Sequence, residues 1–386
     1  MQYAHIVGWG KYLPQRVLTN QQISRIVDTS DEWIFTRTGI RERRLAGERE
    51  TTATLAFEAA ARALAVAGMH PTEVGLIIVA TSTPESVFPA TASLVQDYLG
   101  AAHAGAFDLS AACSGFVYAL SMAANAIATG SVRSAVVVGA ETMSRVLDWE
   151  DRGTCILFGD GAGAVVLRGS SVPGGLLAST LRSDGSGGDL LRLPAVYNNP
   201  VPGFSPHFSQ NGYRHNTIRM NGRQVFRFAT RAIADSVQEV VTQAGLTLED
   251  ISLIIPHQAN VRIIEVAAKR LKVPVDRFFL NVETAANTSA ASIPIALCDA
   301  IEAGRLAPDD NVVFVGFGGG LTWAASVLKW AVTPPEISLP DREWRRVRYI
   351  LARTRSRLRQ WGRRAASIFS GSPTPEARLK DADKEK

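Results

Sequence analysis

The chain has 386 residues, of which 46% are hydrophobic and 20% charged, enough apolar material for a large buried core and too much for a disordered chain. Three cysteines give no disulfide framework, no His, Cys and carboxylate cluster has metal-ligand spacing, and no secretory apolar segment is present, which points to a reducing cytoplasm and to no metal or cofactor site. The net charge of +5 is unevenly spread: residues 331–386 hold 14 Lys and Arg against 7 Asp and Glu, whereas the other 330 residues hold 27 against 29.

The opening MQYAHIVGWG reads as a strand rather than a signal segment. TTATLAFEAAARALAVAGM (51–69) has helical periodicity, and GLIIVA (75–80) and GAFDL (105–109) are apolar runs of strand length. CSGFVYALSMAANAIATG (113–130) reads as a helix stopped by Gly130, and SAVVVGAE (134–141) as the next strand. Residues 197–217 are rich in Pro, Gly and Asn and read as a surface loop or partial lid. Beyond it come LIIPH (253–257), VRIIEVAAKRL (261–271), SIPIALCDAIEAG (292–304) and NVVFVGFG (311–318). Strands alternating with helices predict an α/β fold with a mostly parallel sheet covered on both faces. The apolar runs are short and interrupted, so no membrane span is expected.

The order of elements in the first part returns in the second. LIIVA (76–80) matches LIIPH (253–257) and AVVVGAE (135–141) matches VVFVGFG (312–318), both at an offset of 177. AIATG (126–130) matches AIEAG (300–304) at an offset of 174, and that offset lays Cys113 on Asn287 and Ala111 and Ala112 on Ala285 and Ala286. The period is too long for a solenoid and implies two copies of one unit. The expected divisions are 1–175, 176–330 and a tail, 331–386. Ligands gather at the carboxyl ends of strands in such folds. A face-to-face pairing of the halves brings Cys113, His257 and Asn287, each expected to follow a strand, to one place.

These three side chains suit thioester chemistry. Cys113 stands where a strand turns into a helix, and the free N–H groups of a helix N-terminus favour a thiolate. Small neighbours, Ser110, Ala111, Ala112, Ser114 and Gly115, leave room for a substrate. Taken alone, Cys113 reads more simply as a packing cysteine, His257 as a satisfied structural histidine, and Asn287 as a helix N-cap; the duplication and the company of the other segments turn the reading toward a site. Cys155 and Cys298 are most simply core residues. GFGGGLTW (316–323) lacks the residues of a phosphate loop and reads as a tight turn or an oxyanion donor.

VDTSDEWIFTRTGIRERR, DRGTCILFGDGAGAVVL, PHQANVRII, NTSAASIP and GFGGGLTW, in this order within residues 1–330, resemble the β-ketoacyl-acyl-carrier-protein synthase III family. The resemblance implies a thiolase-like fold of two duplicated α/β halves and a homodimer. It implies Cys113 as the acylated nucleophile, His257 and Asn287 as the decarboxylation pair, and the backbone of Cys113 and Gly319 as the oxyanion hole. Trp33 and Arg152 resemble the pair that sandwich the coenzyme A adenine, Arg37 lies near its phosphates, and Arg262 resembles a carrier-protein contact. Phe88 matches a position at the far end of the acyl pocket, near the dimer partner, where a ring suggests short primers. Two departures stand out: Ala286 replaces the usual glycine before the asparagine, and Arg223 replaces a smaller polar residue at the expected tunnel mouth.

VTPPEISLP (332–340) reads as a linker. Trp344, Val347, Leu351, Leu358 and Trp361 then recur at three- and four-residue steps among ten arginines between 342 and 364, a basic amphipathic helix. Beyond Gly371 the composition is that of a disordered end. The tail suits an anionic membrane surface (341–369), a packed appendage or an acidic protein, with no nucleic acid expected. The resemblance implies acyl transfer from acyl-CoA to Cys113, then decarboxylative condensation with malonyl-acyl carrier protein. A related acyltransferase or ketide synthase of secondary metabolism, and a non-catalytic acyl-CoA-binding scaffold, are the alternatives.

Overall fold

The computed structural model describes residues 2–194 and 217–330, and in the tail Thr354, Arg355, Leu358, Trp361 and Gly362. The loop expected at 197–217 lies almost wholly outside the described residues, as do Trp344, Val347, Leu351 and the end beyond Gly371. The five described tail residues are helical and exposed.

Two sheets organise the chain. The first runs, edge to edge, through strands Tyr3–Tyr12, Asp160–Ser170, Ser134–Thr142, Leu76–Ala80 and Gly105–Leu109. The second runs through Gly175–Ser183, Thr322–Lys329, Asn311–Gly318 and Leu253–Pro256. Leu76–Ala80 pairs in parallel with both of its neighbours and Leu253–Pro256 with Asn311–Gly318, and the other pairs are antiparallel, so both sheets are mixed. Helices Gly115–Ala128 and Ser292–Glu302 lie between the sheets and touch both. Their apolar faces share one core, in which Phe116 meets Phe314 edge to face at 6.3 Å. Helix Thr52–Ala67 covers the outside of the first sheet and Gly222–Gln243 the outside of the second. The former begins with a capping box, Thr51 with Thr54, and stops at Gly68 with φ 68°, where lack of a Cβ permits a left-handed turn.

Strand register confirms the offset of 177. Leu76 pairs with Ala135 as Leu253 pairs with Val312, each exactly 177 residues on, and Val136 pairs with Val166 where Val313 pairs with Val327. The turns before the central helices obey the same offset: Ala112 has φ 46° and Ser289 φ 49°. The equivalent of Cys113 is therefore Ala290, and the alignment of Cys113 with Asn287 is corrected. The three-residue shift lies inside the helices, which have 14 and 11 residues. Asn287 follows no strand. Ile77 belongs to a full parallel strand pair with Gly105–Leu109, whereas its equivalent Ile254 makes only an isolated bridge to Phe278, and a helical turn, Val282–Ala285, precedes the asparagine.

The halves interlock through glycines. A Cβ on Gly139 would lie 2.2 Å from the Ala290 carbonyl oxygen, and one on Gly316 would lie 3.0 Å from the Ser114 Cα. Each sheet thus seats the helix-start turn of the other half, which brings the strand-end residues to one interface.

Candidate functional site

Cys113 sits in the single-turn helix Ala112–Ser114, just before helix Gly115–Ala128, and is 6% exposed. Its Sγ donates to Ser289 Oγ at 3.5 Å. Burial pushes the thiol up to about 12, against the lowering influence of the Ser289 hydrogen bond. The expected thiolate at a helix start is therefore not the resting form: removal from water outweighs the helix terminus, and Cys113 rests as a thiol. Its turn is locked by Ser114 Oγ, which donates to Ala111 O at 2.7 Å and meets Thr322 Oγ1 at 2.9 Å.

His257 follows strand Leu253–Pro256, and its N–H donates to Val315 O at 2.8 Å. The ring packs edge to face on Phe317 at 5.1 Å, and Nδ1 meets Ser292 Oγ at 2.6 Å. Ser292 Oγ also accepts the Gln258 N–H at 3.4 Å, and with one proton and a second lone pair it can either donate to Nδ1 or accept from it, according to the ring tautomer. Burial pushes the imidazole down to about 3, leaving it neutral near pH 7.

Asn287 is held by its backbone to the segment after Cys155: its N–H donates to Leu157 O and its carbonyl accepts the Gly159 N–H, both at 3.0 Å. Its Oδ1 accepts the Ser289 N–H at 2.9 Å, which fixes the amide so that Nδ2 is the outward donor. Ala286 takes φ 57°, ψ −162°, a backbone region that suits glycine. The sequence departure at this position therefore falls where a side chain is strained.

A cavity of about 730 Å³ opens onto Cys113, Ser289, Gly319, Gly320 and Thr322, with Met143, Phe158 and Leu191 among its apolar walls. His257 and Asn287 do not line it; both are buried. Gly318 abuts the nucleophile: a Cβ there would lie 2.6 Å from the Cys113 nitrogen. Phe88 is not part of this wall and is 85% exposed, beside Val87 at 75%. Arg223 is exposed at the start of helix Gly222–Gln243.

Trp33 and Arg37 lie on helix Asp31–Thr38, and the guanidinium groups of Arg37 and Arg152 stand 4.6 and 5.0 Å from the Trp33 ring. Arg152 rests directly on the ring, so an adenine between them requires Arg152 to swing away from its hydrogen bond to Asp28 O. Asn260 Nδ2 donates to Arg37 O at 2.9 Å and ties this helix to the His257 segment. Arg262, at the start of helix Val261–Leu271, lines a second cavity with Phe35, Glu265 and Glu283.

Three polar residues of this centre escaped the sequence reading: Ser289, Ser292 and Glu141. Glu141 ends strand Ser134–Thr142, is fully buried, and accepts from Ser289 Oγ at 2.9 Å. The duplication held a signal for it, since the offset of 177 sets Glu141 on Gly318. Among the described residues, no three His, Cys, Asp or Glu side chains are grouped to hold a metal ion.

The 3-Oxoacyl-[acyl-carrier-protein (ACP)] synthase III family matches residues 107–185, and its C-terminal part matches residues 241–330. A beta-ketoacyl-[acyl-carrier-protein] synthase III of Clostridium acetobutylicum is 48% identical over 330 residues, covering 86% of this chain and 99% of its own. One of Roseiflexus castenholzii is 49% identical, covering 85% and 98%. Among solved structures, the 3-oxoacyl-[acyl-carrier-protein] synthase III of Aquifex aeolicus aligns with a TM-score of 0.78 at 47% identity, covering 84% of this chain and 99% of that one.

Proposed function

Because the chain belongs to the 3-oxoacyl-[acyl-carrier-protein] synthase III family, we propose that Cys113, His257 and Asn287 carry its reaction, with backbone donors at Cys113 and Gly319. The enzyme is a condensing acyltransferase that starts fatty acid chains: it takes an acyl group from acyl-CoA and condenses it decarboxylatively with malonyl-acyl carrier protein to give β-ketoacyl-acyl carrier protein. Cys113 Sγ attacks the thioester carbonyl, the oxyanion is met by the N–H groups of Cys113 and Gly319, and coenzyme A leaves. Malonyl-acyl carrier protein then enters, loses carbon dioxide, and its enolate carbon attacks the Cys113 thioester. Nε2–H of neutral His257 and Nδ2–H of Asn287 hold the enolate oxygen. The scheme uses acyl-CoA as substrate and calls on no resident cofactor.

The observation that carries this reading is the cavity wall itself, where the buried thiol lies between the Gly318–Gly320 turn and Ser289. Neutrality of His257 supports a donor rather than a base, and the anchored Oδ1 of Asn287 supports a donor there too. Trp33, Arg37 and Arg152 are proposed to receive coenzyme A, and Arg262 the carrier protein. The adjacent exposed Val87 and Phe88 support a homodimer in which Phe88 closes the partner's acyl pocket. The tail is proposed to rest on anionic membrane from the cytoplasmic side. Leu358 and Trp361, 68% and 72% exposed, support that reading; no described helix is long and apolar enough to cross a membrane.

The test separates the two half-reactions. His257→Ala and Asn287→Ala should still take an acetyl group at Cys113 yet decarboxylate malonyl-acyl carrier protein at least about a hundredfold more slowly, the scale of one lost oxyanion donor. Decarboxylation at the normal rate in either variant removes that residue from the scheme.

A further inference from the structure

The resting thiol at Cys113 raises a question of proton transfer: the proton must leave before sulfur can attack, and the residue itself is only 6% exposed. Among the described residues no side-chain hydrogen bond joins Cys113 to His257 or Asn287, the pair proposed for the later step. One acceptor chain does begin at the sulfur. Cys113 Sγ donates to Ser289 Oγ at 3.5 Å, and Ser289 Oγ donates to Glu141 Oε1 at 2.9 Å. Both bonds point the same way, from thiol to hydroxyl to carboxylate.

We propose that Ser289 and Glu141 form a proton relay for Cys113, with Ser289 touching the reacting sulfur and Glu141 acting through it. This deepens the assignment of Cys113 as nucleophile and rests on it. When sulfur attacks the acyl-CoA carbonyl, the thiol proton passes to Ser289 Oγ while the Ser289 proton passes to Glu141. The new S–C bond forms, and the tetrahedral intermediate collapses with cleavage of the bond to coenzyme A sulfur. That leaving thiolate takes the proton back from Ser289, which is refilled from Glu141. Acyl-CoA and the Cys113 thiol become acyl-Cys113 and the coenzyme A thiol, and the relay ends as it began.

The surroundings of Glu141 fit this task. It is fully buried, and among the described residues no Lys, Arg or His side chain is bonded to it. Its other partners come from two packed segments. Ser82 N–H, Thr81 Oγ1 and Thr83 Oγ1 lie at the end of strand Leu76–Ala80, at 3.0, 3.2 and 2.6 Å, and Ala290 N–H lies beside Ser289 at 3.5 Å. Burial raises its affinity for a proton, against the donors on every side, which favour the carboxylate. Cys113 is the titratable group that faces it through Ser289. The duplication accounts for its placement. Glu141 is the counterpart of Gly318: where Gly318 leaves the Cys113 N–H open, Glu141 fills the matching position beside the Ala290 N–H. One copy of the site thus holds the substrate oxygen and the other holds a proton acceptor.

The experiment is the pH dependence of Cys113 alkylation by iodoacetamide, followed at the Cys113 peptide from about pH 6 to 8. A thiol that loses its proton to water reacts about tenfold faster per pH unit below its pKa. An internal relay removes that dependence, so the wild-type rate should change by less than about threefold across the range. Ser289→Ala and Glu141→Gln should each restore the tenfold slope and slow acylation by acetyl-CoA. A purely structural role for Glu141 would lower stability without changing the slope. A wild-type slope of tenfold per unit overturns the relay without any variant, and so does a flat profile retained in a folded Ser289→Ala protein. If wild-type Cys113 takes no acyl group at all, the nucleophile assignment fails instead, a separate result.

Discussion

Gly318→Ala is the most local perturbation of the proposed oxyanion site. The Gly318 backbone is not left-handed, so space rather than φ decides the outcome. The new Cβ would lie 2.6 Å from the Cys113 nitrogen, 3.1 Å from Ala112 Cβ and 3.2 Å from Cys113 Cβ, against 3.4 Å or more in ordinary contact. The first of these is backbone and cannot rotate away, so the Cys113 turn must retreat by most of an ångström. Ser114 and Thr322 tie that turn to the same glycine segment, which limits the relief. Overpacking of this kind costs about 1–3 kcal/mol of stability, and displacing one oxyanion donor slows acyl transfer by about 10²–10³-fold. Denaturant unfolding gives the first quantity, and the rate of acetyl transfer from acetyl-CoA, read by intact-protein mass spectrometry, gives the second. A folded Gly318→Ala enzyme that acylates within threefold of wild type would refute the geometry assigned to the Cys113 N–H.

Ala286→Gly should stabilise the enzyme by about 1 kcal/mol, the strain released at a glycine-type conformation less the entropy of an added glycine, with activity retained; destabilisation would contradict the strain assigned there. His257 also makes stability depend on pH. Its folded pKa is pushed down to about 3, so the unfolded chain takes up a proton near pH 6.5 that the fold excludes. That contribution is complete above about pH 6.5 and is lost as pH falls toward 3, by at most about 1.4 kcal/mol per unit. Comparing the unfolding free energies of wild type and His257→Gln between pH 7 and 4.5 cancels the opposite trend of Glu141, and a gap that does not shrink on acidification rules out the buried neutral ring. Removal of residues 331–386 should leave acylation intact and abolish flotation with anionic vesicles, since each basic residue near such a surface contributes about 1 kcal/mol and salt screens the attraction. Equal flotation of the full and shortened chains would exclude the membrane reading.

Much of the fold was legible because the signals are local. Apolar runs of strand length, helix stops at glycine and the repeated LII and VVxVG segments mark the elements and the duplication, and the strands bear out the 177 offset residue by residue. The alignment around Cys113 was not legible. The second central helix is three residues shorter, and a loop lengthens to compensate, so matching the helix ends put Asn287 where Ala290 belongs. The ionisation of Cys113 was also beyond the sequence: a helix start is visible there, whereas enclosure by Ser289 and the Gly316–Gly318 backbone from the other half is not. Glu141 reads as the polar end of a strand until Ser289, 148 residues away, is brought against it.

The central claim is that Cys113 carries the acyl group between acyl-CoA and the malonyl unit. Its most direct test is to expose the enzyme to acetyl-CoA, map the adduct by peptide mass spectrometry, and then add malonyl-acyl carrier protein. The account predicts acetyl on Cys113 alone, absent from Cys113→Ser, and its disappearance as acetoacetyl-acyl carrier protein forms. An acetyl group on another residue, or a Cys113 adduct that malonyl-acyl carrier protein does not discharge, would contradict it.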